Sequence, residues 1–211
     1  MKGIIFDLDG TLIDSMGMYR NLSKNYLKNL GVDLTDDVAQ KTTVMGLGKS
    51  VEFIVDYYKL DKEPEEIYQD YKNIVADFYE NKALAKEKSI ETLTKYYDLG
   101  YKLALGTATN MKFLNHVFKR FNIKDYFDVI QTVDDVGVKK SEKEFFEILA
   151  AKLGLDTEDV MLFDDAPYAL KAAKKSGMVT IAVYDESAKD YWEASKAGND
   201  YYIESFKDWA V

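Results

Sequence analysis

The sequence predicts an α/β protein, a doubly wound parallel sheet carrying an inserted α-helical cap domain. Two observations carry that reading. From about residue 100 onward, short apolar runs alternate regularly with helical patterns, the rhythm of strands covered on both faces by crossover helices. The first apolar run, however, ends at Phe6, and the next convincing one begins only near Lys102, with helical sequence between them. One crossover helix suffices to join two parallel strands, so the surplus reads as an insert. The expected division is an α/β core of residues 1–13 and 83–211 and a helical cap of residues 14–82.

The expected strands are Gly3 to Phe6, Leu103 to Leu105, Val129 to Ile130, Val160 to Phe163, Val179 to Val183 and Tyr201 to Ile203. Within the insert, Tyr19, Leu22, Tyr26, Leu27 and Leu30 recur at helical spacing and stop at Gly31. Val51, Ile54, Val55 and Tyr58 form a second set, and Ile67, Tyr71, Ile74 and Phe78 a third. Pro64 suits the first turn of that third helix, with Glu65 and Glu66 favourably placed near its positive end. A helix from Ser89 to Leu99 closes on Gly100, and one from Tyr168 to Ser176 closes on Gly177 after a basic last turn.

Composition narrows the function. A net charge of -9 argues against a nucleic-acid surface, which needs clustered basic residues. With no cysteine, disulfides, thiolate zinc sites and thiol catalysis are excluded. No stretch approaches the ~20 apolar residues of a membrane span, and the N-terminal apolar run is too short for a signal peptide. A cytoplasmic protein without nucleic-acid or membrane partners is expected, as a monomer or weak homo-oligomer.

The chemistry-bearing residues stand where expected strands end, the place where ligands collect in such folds. Phe6 is followed by Asp7-Leu8-Asp9-Gly10-Thr11, and Phe163 by Asp164-Asp165. Either pair alone reads as a solvated turn. Four carboxylates at the ends of two parallel strands, however, would repel strongly in a partly buried crevice. A hard divalent cation with oxygen ligands answers that repulsion, and magnesium suits a site shared with phosphate. A third strand ends in Thr107-Ala108-Thr109-Asn110, whose hydroxyls and backbone N–H groups suit a phosphate cradle. Val138-Lys139-Lys140-Ser141 then supplies a cation able to neutralise a carboxylate and a phosphoryl group.

In this order the motifs resemble those of the haloacid dehalogenase-like superfamily, over nearly the whole chain. Its phosphatases carry D-x-D-G-T after the first strand, a strand ending in Ser or Thr, a lysine, and a strand ending in paired acids. The position of the insert is similar to the subgroup containing beta-phosphoglucomutase and phosphoglycolate phosphatase. The resemblance implies a magnesium-dependent phosphatase acting on a small phosphorylated metabolite through an aspartyl phosphate. Asp7 would be the nucleophile and Asp9 the general acid and base. Thr107, Ala108 and Lys140 would bind phosphate. Asp7, the backbone carbonyl of Asp9 and Asp165 would hold the metal, with Asp164 bound directly or behind another ligand. Asp9 argues against a hydrolytic dehalogenase, which has no phosphate ester's leaving group to protonate.

Two departures from the family pattern stand out. Proline is absent beside the lysine, and counting back from Leu153-Gly154-Leu155 by the usual helix length selects Lys140, with Lys139 as the alternative. Lys88-Ser89-Ile90 also replaces the usual Pro-Gly before the second core strand. In the insert, Val44-Met-Gly-Leu-Gly48-Lys49-Ser50 suits a loop reaching an anionic substrate. Lys49 would act like the mutase's cap arginine, and Asn110 is a further substrate-binding candidate. A phosphosugar mutase is therefore an alternative, and a non-catalytic binding protein of the same fold is another. His116, Trp192 and Trp209 read as packing residues, and Asp14-Ser15 as a structural hinge.

Overall fold

The structure is a computed structural model that describes residues 2–43, 45 and 47–210. Its contacts divide the chain into two units, Met1–Met16 with Ala83–Val211, and Gly17–Lys82.

The first unit is built on a six-stranded sheet. In chain order come β1 (Gly3–Phe6), β2 (Ile13–Asp14), β3 (Leu84–Ala85), α5 (Ser89–Asp98), β4 (Lys102–Thr107), α6 (Met111–Phe121), β5 (Val129–Thr132) and the single turn α7 (Val133–Val136). They are followed by α8 (Lys143–Leu153), β6 (Val160–Asp164), α9 (Pro167–Lys175), β7 (Val179–Val183), α10 (Trp192–Gly198) and β8 (Tyr201–Ile203). The order β5-β4-β1-β6-β7-β8 is parallel throughout, and β1 lies between β4 and β6. The winding therefore reverses beside β1, which opens a crevice at its carboxyl end. In register, Phe6 sits level with Leu105 and Phe163, so Asp7, Gly106 and Asp164 follow on one line.

Alternation along these strands fills two cores. Ile5, Ala104 and Leu162 face a cluster with Phe145, Phe146 and Leu149 of α8 and Ala169 and Ala173 of α9. Gly106 belongs to this face, because a Cβ there would lie 2.8 Å from the Leu149 side chain. On the other face Phe6 stacks on Phe163 at 5.1 Å between ring centroids, and Tyr96, Phe206 and Trp209 pack around them. Trp209 also donates to the Tyr96 hydroxyl at 2.7 Å. Both tryptophans pack, Trp192 against the first cluster.

The second unit holds α1 (Met16–Asn29, entered from the first unit), α2 (Asp36–Thr43), α3 (Leu47–Tyr58) and α4 (Pro64–Asp77). Leu27, Val38 and Ile54 form its centre. Pro64 opens α4, and Glu63 and Glu66 complete a capping box there. In α4 the buried stripe is Ile67, Tyr71 and Val75, whereas Ile74 is exposed. Val75 continues the i, i+4 row, so the expected place of Ile74 in that stripe is corrected. α2 escapes the sequence pattern because Val38 is the one large apolar side chain it contributes to this cluster. β2 and β3 escape it because two residues show no period; Ile13 pairs with Ala85 and Asp14 with Leu84, antiparallel.

Candidate active site

The loop after β1 is a tight turn fastened by its apolar residues. Leu8 and Leu12 are fully buried, and the Leu8 carbonyl accepts from the amides of Leu12 and Ile13 at 2.9 Å each. Gly10 adopts φ +81, a conformation that disfavours residues with a Cβ. It also has no room for one, since a Cβ would lie 2.4 Å from Oδ2 of Asp165. The glycine of the motif is thus fixed by both conformation and contact, and it seats the loop directly on the second pair of acids.

Asp7, Asp164 and Asp165 are all buried, and each offers an oxygen within 4.8 Å of the others. The Lys140 ammonium lies 2.5 Å from Oδ1 of Asp7 and 2.7 Å from Oδ2 of Asp164. Asp164 Oδ1 accepts from the Ala166 amide at 2.9 Å, whereas its buried Oδ2 has that ion-pair contact without hydrogen-bond alignment. Lys139 is exposed. The fold separates the two lysines because Lys140 lies on the inward side of the segment leading into α8.

Burial dominates the electrostatics. It pushes the Asp7 carboxyl up to about 7; the Lys140 charge opposes this, and Asp164 and Asp9 add to it. Burial, then the charges of Asp7 and Asp164, hold Asp165 well above the usual carboxylate range. Burial works against the Lys140 cation, but the charges of Asp164 and Asp7 prevail and raise it above an ordinary lysine. One ammonium therefore leaves this cluster short of positive charge. A compact all-oxygen donor set, with an underused buried carboxylate oxygen, fits a small hard divalent cation.

Asp9 is held differently. Ser15 Oγ donates to its Oδ1 at 2.5 Å and Thr109 Oγ1 donates to its Oδ2. Both oxygens thus have hydroxyl partners, which fix the orientation of the carboxylate. Ser15, read from sequence as part of a structural hinge, contacts a site residue directly. Thr107 is buried at the end of β4, where its Oγ1 accepts from the Thr109 amide at 3.0 Å. Ala108 is exposed beside it.

The peripheral candidates fare otherwise. Asn110 caps α6 by accepting from the Lys112 amide at 2.9 Å, and its amide nitrogen donates to Asp134 at 2.7 Å. Both ends of the side chain are occupied. Gly48, Lys49 and Ser50 are not in a loop: they form the first turn of α3, where Ser50 Oγ donates to the Leu47 carbonyl at 2.8 Å. That turn replaces the expected loop, whose Val44 and Gly46 lie outside the described residues. Lys49 is exposed in the second unit. In place of the family's Pro-Gly, Lys88 takes up a left-handed conformation at φ 63 and Ser89 Oγ donates to the Leu12 carbonyl at 2.8 Å, so the entry to α5 is bonded to the loop after β1.

Residues 4–183 match the sequence profile of the haloacid dehalogenase-like hydrolases. The chain belongs to that family. Among its relatives is a phosphorylated carbohydrates phosphatase from Thermotoga maritima, 24% identical over 202 residues, covering 94% of this chain and 92% of the relative. A pyrophosphatase PpaX from Bacillus cereus is 24% identical over 207 residues, 97% of this chain and 93% of the relative. The fold is similar to that of a beta-phosphoglucomutase from Clostridium difficile, with a TM-score of 0.74 at 17% identity, covering 100% of this chain and 94% of the other. In this haloacid dehalogenase-like hydrolase Asp7, Asp9, Thr107, Lys140, Asp164 and Asp165 all lie in the α/β unit. No helix among the described residues is long and apolar enough to cross a membrane.

Proposed function

We propose that the protein is a magnesium-dependent phosphatase that hydrolyses a small phosphorylated metabolite through an aspartyl phosphate on Asp7. The observation that carries this reading is Asp7 itself: a buried carboxylate in contact with Lys140 and grouped with Asp164 and Asp165. Relatives named as phosphatases support the reaction class. Asp7, Asp165 and the Asp9 carbonyl, with Asp164, would hold the metal, which supplies positive charge to the phosphoryl oxygens.

The protein's own groups do the rest. Asp7 attacks phosphorus, forming an acyl phosphate as the ester P–O bond breaks. Asp9 gives its proton to the leaving oxygen, then takes one from the water that attacks the intermediate and releases phosphate. Lys140 stabilises Asp7 as a carboxylate and, with Thr107 and the backbone at Ala108, binds phosphoryl oxygens where charge spreads in the transition state.

The test is phosphate release from a panel of phosphorylated metabolites and p-nitrophenyl phosphate, with magnesium and with EDTA. Release that needs magnesium is expected. Failure on every substrate would favour a non-catalytic binding protein, and isomerisation that depends on a sugar bisphosphate would favour a mutase.

A further inference from the structure

Lys86 lies outside every motif of the site, in a run with Glu87 and Lys88 that reads as solvated surface. The structure instead packs it, half-buried, against the loop after β1, just after β3. Its backbone amide donates to the Leu12 carbonyl at 3.0 Å. Its Nζ donates to the Gly10 carbonyl at 2.8 Å, the Tyr184 carbonyl at 2.5 Å and Asp185 Oδ2 at 3.0 Å. An ammonium has three protons, and each has an acceptor here. The Lys86 and Asp185 side chains are 16% and 6% exposed. Asp185 is in turn fixed beyond β7, where its Oδ1 accepts from the Ser187 amide at 2.8 Å.

A lysine withdrawn from water and aimed at two main-chain carbonyls defines a geometry that a solvated lysine would not. Gly10 is pinned from one side by Lys86. On its other side it rests on Asp165, and the next residue, Thr11, directs Oγ1 towards Asp165 Oδ1 at 3.5 Å. The Gly10–Thr11 peptide, one residue on from Asp9, is therefore held between a charged clamp and an acid of the candidate metal cluster.

We propose that Lys86, held by Asp185, is a positioning residue that fixes the Gly10 peptide and through it the aim of the Asp9 carboxylate. This rests on the reading of Asp9 as proton donor and acceptor given above. A misaimed donor hurts a poor leaving group more than a good one, because phenolate needs the proton and p-nitrophenolate leaves largely without it.

The experiment compares wild type, Lys86→Met and Asp185→Asn. It measures kcat/KM for phenyl phosphate and p-nitrophenyl phosphate with magnesium, and amide hydrogen exchange of residues 8–13 in the metal-free protein. For Lys86→Met the loss on phenyl phosphate is expected to exceed that on p-nitrophenyl phosphate by about tenfold. Exchange across residues 8–13 should quicken while that of β4 and β6 stays unchanged. Asp185→Asn keeps the lysine and should move both readouts the same way by less, so it decides the matter if Lys86→Met does not fold. Equal losses on the two esters, or unchanged exchange in residues 8–13, would overturn the proposal. Wild-type protein inert towards both esters and towards every metabolite of the panel would instead overturn the phosphatase reading and the catalytic half of this one, with exchange still judging the clamp.

Discussion

The two units treat charge in opposite ways. Among the described residues, the buried charged side chains are Asp7, Lys140, Asp164, Asp165 and Asp185, and all of them belong to the α/β unit. In the helical unit, charges meet at the surface. Tyr26 donates to Asp70 at 2.6 Å and Lys62 stands 3.4 Å from the same carboxylate, with Lys62 and Asp70 side chains 35% and 43% exposed. Hydrogen bonding from Tyr26 leads in lowering Asp70 and raising Lys62, yet exposed pairs of this kind contribute little to stability. A fold that only needed to be stable would resemble the helical unit throughout. Desolvated acids crowded around one lysine oppose folding and make sense as preorganised chemistry.

The sharpest way to break this contrast is at the nucleophile. Asp7→Asn should lower phosphate release on the order of a thousandfold or more, with the circular dichroism spectrum intact. Substantial turnover in this variant would end the proposed mechanism.

The same substitution should help folding in the absence of metal. Asp7's folded pKa of about 7 lies above its ordinary 3.8, so the folded state holds a proton that the unfolded chain releases. Below both values the aspartate brings no penalty. As pH rises from about 4 to about 7 the native state loses stability, by at most about 4 kcal/mol. Melting curves in EDTA should therefore show Asp7→Asn gaining on wild type across that window and keeping the gain above it. A constant difference at every pH would mean that the buried charge is not what destabilises the apo protein.

Ile54 tests the other unit. It is fully buried beside Leu27 and Val38, and Ile54→Ala should destabilise that unit by about 2–5 kcal/mol through lost burial and a cavity. Hydrogen exchange should quicken within residues 17–82 while β1, β4 and β6 remain protected. Equal loosening of the strands would show that the units do not unfold separately.

The smallest effect is expected at Lys49. As an exposed lysine proposed to meet an anionic substrate, it should on replacement by Met raise KM by about threefold and leave kcat nearly unchanged. A fall in kcat of comparable size would place it closer to the reaction than an exposed substrate contact.

Much of the core was legible because its signals are local. Six apolar runs gave the sheet, since strands covered on both faces admit few polar residues. Gly100 and Gly177 mark helix ends, where both take up positive φ. The acids followed from their place after strands. What stayed hidden depends on partners distant in sequence. Tyr96 packs beside Phe6 and Phe163, so its role as core rather than surface follows from strands that lie far apart in the chain. The Ser15 and Thr109 hydroxyls reach Asp9 from separate segments, and Lys86 meets Gly10 across 76 positions and Asp185 across 99.

By itself, the sequence determined the alternation of strands and helices, the existence of the helical insert and the types of residue proposed to carry the chemistry. Periodicity and glycine punctuation are properties of neighbouring residues, so these could be read along the chain. Tertiary structure alone decided that Lys140 rather than Lys139 turns inward, that Asp9 is held by two hydroxyls, and that Lys86 leaves the solvent. Each depends on which groups meet in a space of low dielectric, where an unpaired charge or an unmet hydrogen bond costs most.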